Sequence, residues 1–280
     1  VTPAMPTGCS MNILMKAMPN RAFDVGIAED HAITFACGMA LEGLRPFVSV
    51  YSSFLQRAYD QLNHDVCRMN LPVVIGVDRC SIIGEDGDSH QGVFDISYMN
   101  SLPNMVIAEG KNSSQIEALL DLAFSQTSPF AIRYPRGSIE YNCDCKCDVA
   151  LGKWEFVVNN IDSKVSIITY GNDVCKIEKD INDNHLPYNL INALFIKPID
   201  EELLVSIGKL NKPIVVYTND IIKGGLGDSI LECLNKNHIN APVYILGVDD
   251  IYVKHGSVLK VKESLGLDLN SLYHFIESIC

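Results

Sequence analysis

The sequence predicts an α/β fold: two three-layer αβα domains with mostly parallel sheets. Three observations predict it. Apolar runs of strand length alternate with segments of helical period. The alternation stops in a polar, cysteine-rich stretch and then restarts. The chain's 280 residues, 48% hydrophobic and 20% charged, match the length and balance of about two globular domains. The boundaries read 1–137 for the first domain, 138–150 for a linker and 151–280 for the second.

Phe47–Tyr51 reads as a short strand entered through Gly43 and Pro46. From Ser52 to Met69, Phe54, Leu55, Ala58, Leu62 and Val66 recur at helical spacing, which predicts one amphipathic helix. Pro72–Val77 is a continuous apolar β run, followed by a long polar loop, Asp78–Asp95. Asn104–Ala108 is a strand, Asn112 or Ser113 caps a helix to about Gln126, and Phe130–Tyr134 is the next strand. Beyond the break, strands are predicted at Val165–Tyr170, Tyr188–Ala193, Pro213–Thr218 and Pro242–Leu246. Helices fall near Asp173–Asn184, Glu201–Leu210 and Asp228–Asn237. Gly224-Gly225-Leu226-Gly227 lacks the Lys-Ser/Thr of a nucleotide loop and reads as a tight helix entry.

Lys and Arg number 22 against 34 Asp and Glu, a net charge of −12. That field repels nucleic acid and anionic membranes, so a phosphate site has to be a local exception made by a few arginines. No apolar run approaches the roughly 20 residues of a membrane span. Cys37, Cys67, Cys80 and Cys233 sit singly in apolar segments as small hydrophobes, which favours a reducing interior: bacterial cytoplasm in preference to plastid stroma. Cys143, Cys145 and Cys147 alternate in a polar stretch, a spacing that suits tetrahedral zinc poorly, and read as exposed linker. Residue 1 is Val and nothing before Phe23 resembles a signal segment, so the chain is expected to be processed, trimmed or incompletely represented.

Two segments carry chemistry. The loop Asp78–Gly92 follows an apolar strand, at the end of a parallel sheet where ligands bind, and offers Arg79, Asp86 and His90 among glycines. It reads as a substrate loop in which Asp86 and His90 exchange protons with a polar ligand. Glu29 falls in the first turn of an apolar helix among Ile27, Ala28, Ala32 and Ile33. It serves the helix dipole or, as a carboxylate with a raised pKa, a ligand nitrogen; the residues leave both accounts open.

Four motifs in order carry a resemblance: Asp24-Val25-Gly26-Ile27-Ala28-Glu29-Asp30-His31-Ala32, Tyr51-Ser52-Ser53-Phe54-Leu55-Gln56-Arg57, Ser89-His90-Gln91-Gly92-Val93-Phe94-Asp95 and Arg133-Tyr134-Pro135-Arg136-Gly137. They resemble the pyrimidine-binding domain of the 1-deoxy-D-xylulose-5-phosphate synthases, thiamine diphosphate enzymes related to transketolase. Residues 151–280 resemble a transketolase-type C-terminal domain. The resemblance implies decarboxylation of pyruvate on thiamine diphosphate and transfer of the two-carbon unit to glyceraldehyde 3-phosphate, the first step of non-mevalonate isoprenoid synthesis. It implies that Glu29 sets the tautomer of the aminopyrimidine and that Phe54 stacks on it. Tyr51, Arg57, Asp86 and His90 would surround the reacting carbon, and Arg79 and Arg136 would hold the aldehyde's phosphate. Asp30 stands where the family usually has Gln, and Glu85 where it has a small residue.

Family members also carry an N-terminal domain whose Gly-Asp-Gly…Asn motif binds Mg2+ and the cofactor's diphosphate; the sequence contains no such motif. The opening Val1-Thr2-Pro3-Ala4-Met5 reads as the tail of the pyrimidine domain's first strand. The expectations are a homodimer that requires that N-terminal domain, with the 280 residues inactive on their own. A transketolase-like or 2-oxoacid dehydrogenase beta chain, or a non-catalytic dimerisation module, are the competing readings.

Overall fold

The computed structural model describes residues 1–137 and 147–280. The Cys143/Cys145 part of the alternating cysteine run lies outside the described residues. Ten strands form two five-stranded sheets: β1 (Phe47–Tyr51), β2 (Val74–Asp78), β3 (Val106–Glu109), β4 (Phe130–Tyr134), β5 (Glu155–Val158), β6 (Val165–Thr169), β7 (Tyr188–Asn192), β8 (Phe195–Lys197), β9 (Ile214–Ile221) and β10 (Val243–Val248). The first sheet runs β1-β2-β4-β3-β8 and the second β10-β9-β6-β7-β5. All pairs are parallel except β3·β8 and β5·β7. The mostly parallel α/β architecture is therefore as expected from the alternation of elements.

β2 shows why the strands read so clearly. Every residue of Val-Ile-Gly-Val-Asp is buried, as a central parallel strand covered on both faces requires. The register Tyr51↔Asp78↔Tyr134 brings the carboxyl ends of β1, β2 and β4 level, so the loops that follow them emerge together. Val1 and Thr2 lie along β1: the Ser49 amide donates to the Val1 carbonyl at 2.9 Å and the Val1 amine to the Phe47 carbonyl at 2.7 Å.

The segment Ser52–Met69 departs from the single amphipathic helix expected of it. It is a helical run of four pieces: α (Ser52–Leu55), 3-10 (Gln56–Ala58), α (Tyr59–Gln61) and π (Leu62–Cys67). The apolar face nevertheless holds, with Leu55, Ala58, Leu62 and Val66 fully buried. The tight and wide turns change the winding without moving those side chains off the core. Helix Asp173–Asn184 has the predicted bounds. Gly224–Gly227 is the expected helix entry, with Gly224 at φ +74° and its amide donating to Asp228 Oδ2 at 2.6 Å. The short edge strands β5 and β8 and the helices Met11–Ala17, Asp95–Asn100, Val258–Leu265 and Leu269–Ile279 went unpredicted. β8 follows the second sheet's β7 in sequence but hydrogen-bonds to β3, so the later half of the chain completes the edge of the first sheet.

Arg133 on β4 ties the halves together. It has no solvent exposure and donates to Asp95 through Nε (2.6 Å) and Nη2 (3.1 Å), to Glu109 through Nη1 and to Asp220 on β9 through Nη2 (2.8 Å). Asp220 also accepts from Tyr170 Oη at 2.6 Å and Ser81 Oγ at 3.0 Å. One guanidinium among three carboxylates leaves the cluster short of positive charge. Burial accordingly pushes the Glu109 carboxyl from 4.5 up to about 7, although Arg133 pulls it the other way.

Arg133→Met should cost about 3–5 kcal/mol of unfolding free energy, the scale for stranding buried carboxylates, read from urea denaturation. Because the folded pKa of Glu109 lies above its unfolded value, the unfolded state releases this proton first as pH rises. Stability should fall between about pH 4.5 and 7 on this account and level off above it. Glu109→Gln should flatten that fall in urea titrations across the window; an unchanged pH profile would show that Glu109 does not set it.

Candidate active-site face

Glu29 opens the helix Glu29–Leu41 and is 3% exposed. Of the apolar neighbours the sequence suggested, Ala32 and Ile33 are buried, whereas Ile27 is 76% exposed and points to solvent. Arg57 on the helical run after β1 brings Nη1 within 3.2 Å of Glu29 Oε2. That contact lacks hydrogen-bond geometry, and among the described residues Oε2 is buried without a hydrogen-bond partner. A buried carboxylate oxygen left open in this way is unusual and marks a place for a donor from outside the chain.

The remaining predicted residues assemble at the carboxyl ends of β1, β2 and β4. The Arg79 guanidinium lies 4.1 Å from the centre of the Tyr51 ring, Tyr51 stacks on Phe54 at 5.7 Å, and Phe54 meets His90 edge-on at 5.1 Å. This gives an unbroken string Arg79–Tyr51–Phe54–His90. Burial raises the Tyr51 hydroxyl's pKa against the opposing pull of Arg79, so the phenol stays a proton donor. Asp86 accepts from Arg79 Nη1 through Oδ2 and from Arg136 Nη1 at 2.8 Å through Oδ1. His90 Nδ1 faces Ser89 Oγ at 3.0 Å. Asp86 and His90 thus have separate partners in the loop, and the two arginines are bridged by one carboxylate.

The backbone explains why this loop has its sequence. Arg79 and Ser81 both take positive φ, and Ser81 then pairs antiparallel with Gly92 at 2.6 and 2.9 Å. A Cβ on Gly92 would sit 2.1 Å from the Arg79 carbonyl oxygen, so only glycine fits. Gln91, 3% exposed, accepts from the amides of Ile83 (2.9 Å) and Gly84 (3.3 Å) and donates to the Gly84 carbonyl at 3.1 Å. One amide side chain therefore fastens the turn that presents Asp86.

Sequence reasoning missed the support beneath. Ser52 donates to Asp95 Oδ1 at 3.0 Å and Asp95 receives the Arg133 fork, so three of the four motifs meet at one buried carboxylate. The available signal was an arginine inside the apolar strand Phe130–Tyr134, a position that demands buried anions.

The family model described as the transketolase pyrimidine-binding domain matches residues 1–141, and that of the transketolase C-terminal domain matches residues 152–272. The chain belongs to the transketolase family. Curated relatives named 1-deoxy-D-xylulose-5-phosphate synthase include one from Listeria monocytogenes serotype 4b (strain CLIP80459), 43% identical over 279 residues, covering 97% of this chain and 46% of the relative. Another, from Clostridium tetani (strain Massachusetts / E88), is 45% identical over 271 residues, covering 96% of this chain and 44% of the relative. The transketolase-family chain thus spans somewhat under half the length of these relatives. Among solved structures, one titled "Split gene transketolase, inactive beta4 tetramer" superposes with a TM-score of 0.87 at 24% identity, covering 100% of this chain and 91% of that one. The transketolase of Campylobacter jejuni gives 0.71 at 18% identity, covering 91% and 39%. Both likenesses concern the fold.

Gln91→Ala should strand two buried amides and a carbonyl and cost about 2 kcal/mol. Hydrogen exchange of residues 79–92 should quicken more than that of β2, and equal changes in both would indicate global rather than loop destabilisation.

Proposed function

We propose that this chain is the pyrimidine-binding and C-terminal portion of a 1-deoxy-D-xylulose-5-phosphate synthase, which joins a two-carbon unit from pyruvate to glyceraldehyde 3-phosphate. The observation that carries the proposal is the buried, hydrogen-bond-free Oε2 of Glu29 beside Arg57, three residues along from Phe54. The synthase name shared by relatives at 41–45% identity supports it.

These residues fit an aminopyrimidine ring. Glu29 Oε2 offers the unfilled acceptor that a protonated ring nitrogen needs, and Phe54 offers an aromatic face. Thiamine diphosphate, when bound, supplies the electron sink for decarboxylation. Glu29 holds the proton shared with the ring nitrogen and so sets the tautomer. Arg57, 3.2 Å from Oε2, orients the Glu29 carboxylate. Tyr51 and His90, both in contact with the Phe54 ring, stand as proton donors and acceptors for the substrate oxygens. Arg79 and Arg136 bind the aldehyde's phosphate, which displaces Asp86 from one or both. Asp86 holds the two guanidinium groups parked until that anion arrives.

Mg2+ and the cofactor's diphosphate are assigned to the part of the relatives that extends beyond this chain. A homodimer fits the apolar side chains that Ile13, Met18, Phe23 and Ile27 expose on the segment leading to Glu29. Single buried thiols such as Cys37, raised to about 12 by burial, suit a reducing cytoplasm. Among the described residues no helix is long and apolar enough to cross a membrane.

The test supplies this chain together with the portion that its relatives carry beyond it, thiamine diphosphate and Mg2+. Pyruvate plus glyceraldehyde 3-phosphate should be consumed, while ketose donors should not be. Glu29→Gln should lower kcat by about a hundredfold or more with the fold intact by circular dichroism. Arg136→Ala should raise the KM for the aldehyde phosphate about tenfold or more and spare pyruvate decarboxylation. Activity with ketose donors would favour a transketolase, and indifference to Glu29→Gln would favour a non-catalytic module.

A further inference from the structure

A second cleft, of about 420 Å³, is lined by residues of both halves of the chain, Arg136 among them, and by none of Tyr51, Phe54 and His90. Its C-terminal wall is formed at the carboxyl ends of β6 and β9. There the chain leaves β6 for β7 on one side and returns to β9 on the other. β6 and β9 are paired only as far as Ile168↔Val216, and part beyond it. A crevice at the carboxyl ends of two strands where connections diverge is the position at which open α/β sheets bind ligands.

The side chains there are prepared for a partner that none of the described residues provides. Asn219 Oδ1 and Asn172 Oδ1 both line the cleft, buried and without a hydrogen-bond partner among the described residues. The Asn219 orientation is fixed by chemistry, since its Nδ2 donates to Asp173 Oδ2 at 2.6 Å and the oxygen must therefore face the other way. Asn172 precedes the helix Asp173–Asn184 yet makes no side-chain cap bond, so helix capping does not account for it. Lys176 and Lys262 reach the same cleft, 3.6 and 2.7 Å from Asp173. The two ammonium groups share that one carboxylate; Arg136, Glu85 and Glu109 complete the charged lining, and burial raises the Glu109 carboxyl to about 7, which lightens its negative charge near neutral pH.

We propose that this interdomain cleft binds a small hydroxylated anion of the sugar-phosphate class. Its hydroxyls donate to the two asparagine carbonyls, and its anionic group meets Lys176 and Lys262. The volume suits a pentose phosphate, being within the size range of small-molecule sites. The two asparagine acceptors favour a ligand with several hydroxyl donors over inorganic phosphate, which has one or two near neutral pH. The inference stands on the C-terminal sheet and does not depend on which reaction the Glu29 face performs.

Titration calorimetry of the full 280-residue chain tests it with three probes: ribose 5-phosphate, ribose and inorganic phosphate. Ribose 5-phosphate should bind saturably, and each fragment alone should bind at least about tenfold more weakly. Lys176→Ala and Asn172→Ala should each weaken ribose 5-phosphate about tenfold, the scale of one charge-assisted or buried hydrogen bond. Neither substitution removes a cap or an apolar contact, and urea midpoints report whether the fold is kept. In the unsubstituted chain, the same probe should slow amide exchange in the first turn of helix Asp173–Asn184. Absence of saturable binding would overturn the proposal, as would phosphate binding as tightly as ribose 5-phosphate. Affinity unchanged from the unsubstituted chain in both variants would also overturn it, because the probe would then be sitting at Arg79 and Arg136.

Discussion

Arg133 is the constraint on which the arrangement depends. Burying a guanidinium completely costs several kcal/mol of lost hydration, and that cost is offset only when every donor is met. Here the partners come from three separate places: Asp95 after the Asp78–Gly92 loop, Glu109 at the end of β3 and Asp220 at the end of β9. Because a guanidinium fork accepts carboxylates only in its own plane, satisfying it fixes the angle between the two sheets as well as their contact. Tyr170 and Ser81, both bonded to Asp220, extend this constraint into the walls of the two clefts. An apolar interface of the same area would hold the domains together but would leave them freer to slide. The charged cluster specifies one docking.

The legibility of the sequence follows from the range of each interaction. Central parallel strands declare themselves through their apolar runs, because burial on both faces confines polar residues to a few paired positions such as Arg133 and Asp220; β2, β4, β6 and β9 are legible to within a few residues. The short antiparallel edge strands β5 and β8 carry no such signal. β8 is three residues long, and its partner β3 lies some ninety positions earlier, so nothing local marks it. The winding of Ser52–Cys67 was misread for a different reason: apolar spacing near four residues is satisfied equally by α turns and by a mixture of tight and wide ones. At the site, the residue types were legible and their pairing was not. Glu29 and Arg57 stand twenty-eight positions apart, and no periodicity joins them. Ile27 belonged to the apolar environment inferred for Glu29, yet it faces solvent, because adjacency in sequence at a helix start does not imply adjacency in the core.

The net charge of −12 set a requirement that the geometry meets in an unexpected way. Arg79 and Arg136 are the local cations, but they are held by Asp86, and the three together carry a single positive charge. An isolated pair of arginines in so acidic a chain would be drawn to whichever carboxylates lay nearest. Tethering them to one carboxylate on a glycine-flanked turn instead preserves their position and leaves the pair exchangeable, since an incoming phosphate offers more acceptor oxygens than Asp86 does. Arg79 is the better secured of the two, because Tyr51 stacks beneath it, whereas Arg136 is 41% exposed and stands at the rim of the interdomain cleft. On the two proposals made above, an anion in either cleft would compete for the same guanidinium. The link between the pyrimidine-domain face and the C-terminal cleft runs through one side chain and its 2.8 Å bond to Asp86, and it requires no movement of the sheets that Arg133 holds in register.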